Sequence, residues 1–330
     1  MTQTMRAALL EDANGPFTIA TRNRPEPGPG ELLVRIHASG VNPLDTKIRA
    51  GVAEHARHPL PAILGLDMAG IVEAVGADVS GFAPGDAVFG MTGGVGGIQG
   101  SLADYAAVDA RLVAHKPAAL SMREAAALPL GTITAWEGLV DRARVSAGQR
   151  VLIHGGAGGV GHLAVQIARA RGATVFATGS GDSLATIAAL GATPIDYRAT
   201  PVADYVAAHT DGAGFDVVFD TVGGTILDAS FEAVGRNGHV VSALGRGSYV
   251  ISALSFKAAS YSGIFTLLPL LTGIGREQHG AILRAIAGLV EAGQVRTIVD
   301  PRRFALDQVA DAHALVASGA GRGKLVVDLV

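Results

Sequence analysis

The sequence predicts an α/β protein in two parts, a β-rich unit of short strands and a doubly wound parallel sheet. Three observations carry this. The first 120 residues are short apolar runs broken by Gly, Pro, Asn and Asp turns. From Arg150 onward, strand-like and helix-like patterns alternate, which implies parallel strands joined by right-handed crossovers. Glycine supplies 45 of 330 residues, as suits many short strands and tight loops, and 49% hydrophobic residues allow a sizeable core.

Taken in order, residues 6–10, 31–38, 70–75, 86–89 and 103–108 read as strands, with a turn cluster at residues 25–30. Ser121 and Glu124 form a capping-box pattern ahead of an Ala-rich helix. Strands follow at 151–154, 173–177, 216–220 and 239–244, with helical patterns starting at Val160, Ser183, Pro201 and Thr225 between them. The last 60 residues hold an amphipathic helix at 277–292, a strand at 295–299, a helix at 306–318 and a final strand at 324–330. This tail is not another clean βαβ unit and is expected to return to the first part.

Charge and composition remove several function classes. Lys and Arg number 26 against 29 Asp and Glu, a net charge of −3 with no long basic block, so neither nucleic acid nor an anionic membrane is the expected partner. The strongly apolar stretch 263–275 is too short to span a bilayer, and Pro269 interrupts it. The N-terminal residues lack an apolar signal core, so a cytoplasmic protein is expected. Zero cysteines excludes disulfides, iron–sulfur clusters, thiolate zinc sites and a cysteine nucleophile. The ten histidines show no His-Glu-x-x-His pairing, so no metal is expected.

With this much glycine, about 0.8 matches to three fixed glycines arise by chance, so context must decide. The single GxGxxG match, Gly156, Gly158 and Gly161, directly follows an apolar strand and opens a helix with Val160, Leu163, Ala164, Ile167 and Ala168 on one face. The loop Gly156, Ala157, Gly158, Gly159, Val160, Gly161 is therefore expected to bind a dinucleotide. Gly156 would make the tight turn, Gly158 admit the pyrophosphate, and Gly161 allow close helix–strand packing at a helix N-terminus.

The next strand ends Ala177-Thr178-Gly179-Ser180 without the acid that would accept from an NAD ribose. A 2′-phosphate held by Ser180 or Thr178 is expected instead, with Arg198 or the more distant Arg246 supplying charge, so NADP(H) is preferred to NAD(H). Asp182 reads as a helix cap.

At this point the motifs resemble the medium-chain dehydrogenase/reductase superfamily, across almost the whole chain. They are Gly40-Val-Asn-Pro-Leu-Asp45, Gly65-Leu-Asp-Met-Ala-Gly70, Val72-Glu-Ala-Val-Gly76, Pro84-Gly-Asp86, Ala125-Ala-Ala-Leu-Pro129, Thr134-Ala-Trp136, the Gly156 loop, Asp220-Thr-Val-Gly223 and Gly323-Lys324. The zinc-free quinone oxidoreductase (ζ-crystallin-like) branch looks closest. Where the zinc branch keeps its catalytic ligands, this sequence is similar only in position, reading Asn42, Leu66 and Leu130, and the four-cysteine structural lobe is absent. The resemblance implies a GroES-like catalytic domain at 1–122 and 268–330 and a Rossmann domain at 123–267. Substrate is expected in the cleft between them near Asn42 and Thr134. It further implies a homodimer, with the strand around 259–265 as the sheet edge that pairs.

The function expected from the resemblance is hydride transfer from NADPH to a quinone or an α,β-unsaturated carbonyl, whose conjugation spreads the developing charge. A non-catalytic NADPH-binding protein is a second reading, and an enoyl-thioester reductase a third, which would want a basic mouth beyond Lys47 and Arg49. Asn42 is expected to donate from its amide to a substrate carbonyl or the nicotinamide ribose, or to serve only an Asn-Pro turn. Asp45 is expected to orient neighbours rather than transfer a proton. Lys47 stands where relatives often carry an aromatic, either polarising a carbonyl or simply lying on the surface. Thr134 resembles the residue that hydrogen-bonds the cofactor near the nicotinamide, and Tyr197 the tyrosine at the 2′-phosphate. Thr221, Leu244, Gly245 and Lys324 carry over from cofactor-facing strand ends. The loop at 92–100 reads either as a mobile lid or as a long turn.

Overall fold

Residues 3–330 are described by the computed structural model, and they divide into two compact units. The first holds residues up to Leu130 together with Leu267–Ala292 and Thr297–Val330; the second holds Gly131–Thr266 and Gly293–Arg296.

The first unit begins with strands β1 (Thr4–Leu10), β2 (Phe17–Asn23) and β3 (Glu31–Val41), then helix α1 (Pro43–Arg49) and strands β4 (Ala62–Ile63), β5 (Asp67–Val75), β6 (Ala87–Met91), β7 (Tyr105–Asp109) and β8 (Val113–His115). Helix α2 (Met122–Ala126) follows, with the Ser121–Glu124 capping box present, and helix α3 (Pro129–Trp136) starts here with Pro129 and Leu130 and continues in the second unit. β2, β1 and β4 form a small sheet. β3 is buried along nearly its whole length because it is central, with β5 and β7 both antiparallel to it.

The second unit runs β9 (Arg150–His154), α4 (Gly161–Ala170), β10 (Thr174–Gly179), α5 (Ser183–Ala189), β11 (Thr193–Asp196), α6 (Val202–Thr210), β12 (Phe215–Asp220), α7 (Thr225–Ala233), β13 (Val234–Ser242), α8 (Ser252–Phe256) and β14 (Ser260–Gly263). All its strands are parallel, in the order β11-β10-β9-β12-β13-β14. The order reverses at β9, and ligands bind open sheets of this kind beyond the strand ends at such a point. One face of the sheet packs into a core of Leu152, Phe176, Tyr205, Phe215, Val218 and Phe231.

The tail contributes α9 (Leu268–Thr272), α10 (Arg276–Glu291), β15 (Phe304–Ala305), α11 (Val309–Ala317) and β16 (Leu325–Asp328). β16 adds antiparallel to β3 with Leu325 opposite Val41, while β5 places Asp67 opposite Gly40. These two registers bring residues 42, 67 and 324 together.

Residues 295–299 do not form the expected strand. The Arg296 N–H donates to the Gln166 side chain and its carbonyl accepts from the same amide, both in the second unit, so these groups are not offered to a neighbouring strand. Only an isolated bridge joins Val299 to Lys324. The 92–100 loop is packed in place. Val95 is fully buried, Gly96 N–H donates to the Ala56 carbonyl, and Gly94 and Gly100 donate to Ile98 and Ile63. No described helix is long and apolar enough to cross a membrane.

Candidate active site

At the mouth of the parallel sheet, β9 ends in His154 and the chain turns into α4 through glycines. The tight turn falls on Gly155, whose φ of +74° favours glycine, and not on Gly156 as the spacing suggested. A Cβ on Gly156 would lie 2.5 Å from that of Ala177, so this glycine lets the loop press onto β10. Gly161 packs as expected, since a Cβ there would overlap the Gly155 carbonyl oxygen. Gly158 has only that same oxygen near its would-be Cβ, at 3.1 Å, which leaves the first turn of α4 open to an anion. The turn of this glycine cradle spends the N–H groups of Gly155, Gly156 and Gly158 on Thr178 and on the Gly155 carbonyl, so a dinucleotide pyrophosphate fits against the start of α4 and the N–H groups of its first turn.

Buried side chains underpin the cradle. Thr178 Oγ1 accepts the Gly155 N–H and shares a hydrogen bond with His154 Nδ1, each at 3.2 Å. Thr178 was expected to hold a 2′-phosphate, but it is buried and its hydroxyl serves the loop. His154 is buried as well, and burial holds its pKa down at about 4 against the pull of Asp220, so it is neutral near pH 7. Thr221 donates to the His154 carbonyl at 2.7 Å, tying β12 to β9. Asp220 accepts from the N–H groups of Val222 and Gly223 and from Ser242, fixing the ends of β12 and β13. Leu244 and Gly245 lie exposed just beyond β13.

Beyond β10 and β11 stand Ser180, Tyr197 and Arg198. Hydrogen bonding from Ser180, then from Arg198, holds the Tyr197 phenol below its ordinary pKa. The Arg198 guanidinium lies 5.9 Å from the Tyr197 ring centre, and the ring is 49% exposed. A hydroxyl, a phenol and a cation therefore stand together beyond the ends of β10 and β11. Asp182 occupies the N-cap position of α5 without a side-chain cap bond; the Ser183 hydroxyl accepts from Ser180 N–H instead.

In the first unit, four residues from three separate stretches of the chain, Asn42 and Asp45, Asp67, and Lys324, form one buried cluster. Asn42, which precedes α1, donates its backbone N–H to Asp45 Oδ2 at 2.8 Å and its side-chain amide to Asp67 Oδ2 at 3.0 Å. Asn42 Oδ1 accepts from Lys324 Nζ, which also lies 3.8 Å from Asp67. Asp67 Oδ1 accepts the N–H of Leu130, in the first turn of α3, at 3.0 Å. Burial pushes Asp45 up to about 7, against the Asn42 N–H, and Asp67 up to about 6, against Lys324. Burial also pulls Lys324 below its ordinary value.

Two expectations change here. The Asn42 amide gives one N–H to Asp67 and its oxygen accepts from Lys324, so this side chain is bound into the cluster rather than standing alone in an Asn-Pro turn. Lys324 stands at the entry to β16 in the antiparallel unit, not at a strand end of the parallel sheet. Lys47 is exposed on the last turn of α1, and Thr134 is buried within α3. His154, Asp220 and Asp67 are the residues sequence reasoning missed. A single acid in the apolar run Leu64-Gly-Leu-Asp-Met-Ala was the available signal for Asp67, because a charge there demands a partner.

A zinc ion does not fit these residues. Asn42 is held by Asp67 and Lys324, Leu66 is apolar and fully buried, Leu130 offers only its backbone N–H, and an ammonium already supplies the cation. Among the described residues, no three His, Cys, Asp or Glu side chains are grouped to hold a metal.

Residues 28–118 match the alcohol dehydrogenase GroES-like domain, and residues 190–327 match a family described as zinc-binding dehydrogenase. The chain is 32% identical to the quinone oxidoreductase of Homo sapiens, over 98% of this chain and 97% of that protein. It is 34% identical to the chloroplastic NADPH-dependent alkenal/one oxidoreductase of Arabidopsis thaliana, over 98% of this chain and 79% of that one. A solved alcohol dehydrogenase superfamily protein from Novosphingobium aromaticivorans shares 56% identity and superposes with a TM-score of 0.97, covering 99% of this chain and 100% of that one. With its β-rich unit, its parallel sheet and its glycine cradle, the chain belongs to the medium-chain dehydrogenase/reductase superfamily, in the ζ-crystallin-like quinone oxidoreductase branch.

Proposed function

We propose that the protein is an NADPH-dependent reductase of quinones or α,β-unsaturated carbonyls. The convergence of Ser180, Tyr197 and Arg198 beyond a strand that ends without an acid carries the coenzyme choice. The family and the named activities of its relatives support the reaction class. Bound in the cradle, a nicotinamide supplies a hydride. The chain's own residues bind and orient. The loop from Gly155 to Gly161 and the N-terminus of α4 hold the pyrophosphate. Ser180, Tyr197 and Arg198 hold the 2′-phosphate, and Thr134 orients the nicotinamide end. A conjugated acceptor takes the hydride with little further activation, and a solvent proton completes the two-electron reduction.

The test is oxidation of NADPH and NADH with a quinone panel, several enones and one enoyl thioester, in the presence of EDTA. Turnover of quinones or enones with NADPH preferred is the expected result. Turnover of the thioester alone selects the acyl-chain reading, and tight NADPH binding without any turnover selects a binding protein. The same proposal includes a homodimer. β14 is an edge strand, and Val250, Ile251 and Phe256, which precede it in the chain, are 76%, 63% and 88% exposed, apolar residues that a second copy would cover.

A further inference from the structure

We infer that Asp67 is a positioning residue for α3, kept ionised by the Lys324 ammonium and by a single proton that Asp45 holds, with Asn42 as the bridge. The inference deepens the nicotinamide reading, because α3 carries Thr134, and its functional consequence rests on that reading.

Charge counting comes first. The cluster has two carboxyls and one ammonium, and all three side chains are buried. With both acids ionised, an uncompensated negative charge would sit out of water, which costs far more than holding a proton. One carboxyl therefore stays neutral. Hydrogen-bond geometry selects which. Asp67 accepts from the Asn42 amide and the Leu130 N–H and faces Lys324, three interactions that favour its charged form. Asp45 accepts one bond, from the Asn42 N–H, and its Oδ1 has no partner. A bare buried oxygen is far less costly on a neutral acid. The charged groups that face each other here are Asp45 on α1, Asp67 on β5 and Lys324 at the entry to β16; Asn42 and Leu130 contribute neutral donors.

The consequence lies at α3. N–H groups in the first turn of a helix have no partner within the helix, and a carboxylate there meets both the free N–H and the positive end of the dipole. Asp67 does this for Leu130 from a neighbouring strand. Leu130 and Thr134 are four residues apart on one helical face, so the charge on Asp67 fixes the turn from which Thr134 projects.

Three readouts test this on the full chain. Infrared difference titration without cofactor counts protonated buried carboxyls. One is expected in the wild type near neutral pH and none in Asp45→Asn. None is expected in Asp67→Asn either, because Asp45 then becomes the sole counter-ion of Lys324. Hydrogen exchange of the peptide spanning α3 should be faster in Asp67→Asn. With NADPH, Asp67→Asn should raise KM for the coenzyme about tenfold with a smaller change in kcat. The rise in that KM expected for the wild type above neutral pH should vanish in Asp45→Asn. A wild type without a protonated carboxyl, or Asp67→Asn with unchanged exchange at α3, overturns the inference. If Asp67→Asn does not fold, the wild-type count still decides whether one carboxyl of the cluster is protonated, and a fall instead of a rise in the wild-type coenzyme KM above neutral pH would assign that proton to Asp67 and overturn the inference. Failure of NADPH to bind the wild type overturns the nicotinamide reading alone, since the carboxyl count and the exchange rate are measured without it.

Discussion

At the mouth of the parallel sheet, a ligand is offered backbone N–H groups, a helix terminus and small neutral side chains. Its buried histidine is uncharged, and a cation, Arg198, stands exposed at the rim. The Asn42 cluster of the antiparallel unit is the reverse, with two acids and a lysine out of water and hydrogen-bonded through one amide. A backbone cradle tolerates changes in neighbouring side chains and fails when a Cβ appears. A buried charge cluster tolerates isosteres and fails when its charges cease to balance. The most direct way to break the second is Lys324→Met. That change leaves Asp67 without its counter-ion and should cost about 3–5 kcal/mol in denaturant unfolding at neutral pH. Stability equal to the wild type would mean that Asp67 is not ionised.

The cradle is broken differently. Gly161→Val would drive α4 off the Gly155 carbonyl, so a loss of about 1–3 kcal/mol is expected with NADPH binding abolished. Gly158→Ala sharpens the contrast. Its Cβ meets only the Gly155 oxygen at 3.1 Å, so the thermal midpoint should fall less while coenzyme affinity still drops. Equal losses of stability and affinity in both variants would show that the two glycines serve packing alone.

The same difference of materials explains what the sequence disclosed. Backbone geometry leaves a local mark, glycines at fixed spacing between an apolar strand and an amphipathic helix, and the doubly wound sheet was legible from its alternating patterns. β11 escaped because Pro194 reads as a breaker, yet it is tolerated on an edge strand. β2 escaped because it lies at the edge of a small sheet with most of its residues exposed, so it has little apolar pattern to show. The reverse error at 295–299 arose because Val-Arg-Thr-Ile-Val has strand propensity, whereas Gln166 takes both backbone groups of Arg296. The charge cluster depends on the registers of β3 with β5 and β16, which join residues 42, 67 and 324 from far apart in sequence. No spacing rule encodes that, and Asp67 announced itself only as a lone acid in an apolar run.

At the rim of the cradle, Arg198→Ala should lower the ratio of kcat/KM for NADPH to that for NADH about tenfold, the cost of one charged contact to the 2′-phosphate. Tyr197→Phe should lower it by less, because Ser180 and Arg198 remain. A ratio untouched by Arg198→Ala would move the phosphate contact elsewhere, with Arg246 the next residue to replace.

The smallest expected effects set the two regions against each other in sign. Asp45 has a folded pKa of about 7, above its unfolded value, so between about pH 4 and 7 the folded state holds the extra proton and stability falls as pH rises. His154 has a folded pKa of about 4, below its unfolded value, so between about pH 4 and 6.5 the unfolded state holds the extra proton and stability rises with pH. Each slope is at most about 1.4 kcal/mol per pH unit, and near pH 5 they oppose. Unfolding of Asp45→Asn and His154→Gln, each compared with the wild type from pH 4 to 7, separates them. Removing Asp45 should make the dependence on pH more positive, and removing His154 should make it more negative. The same sign of change in both variants would mean that one of the two groups is not held as its surroundings dictate. For Asp45 that would return the missing proton to Asp67.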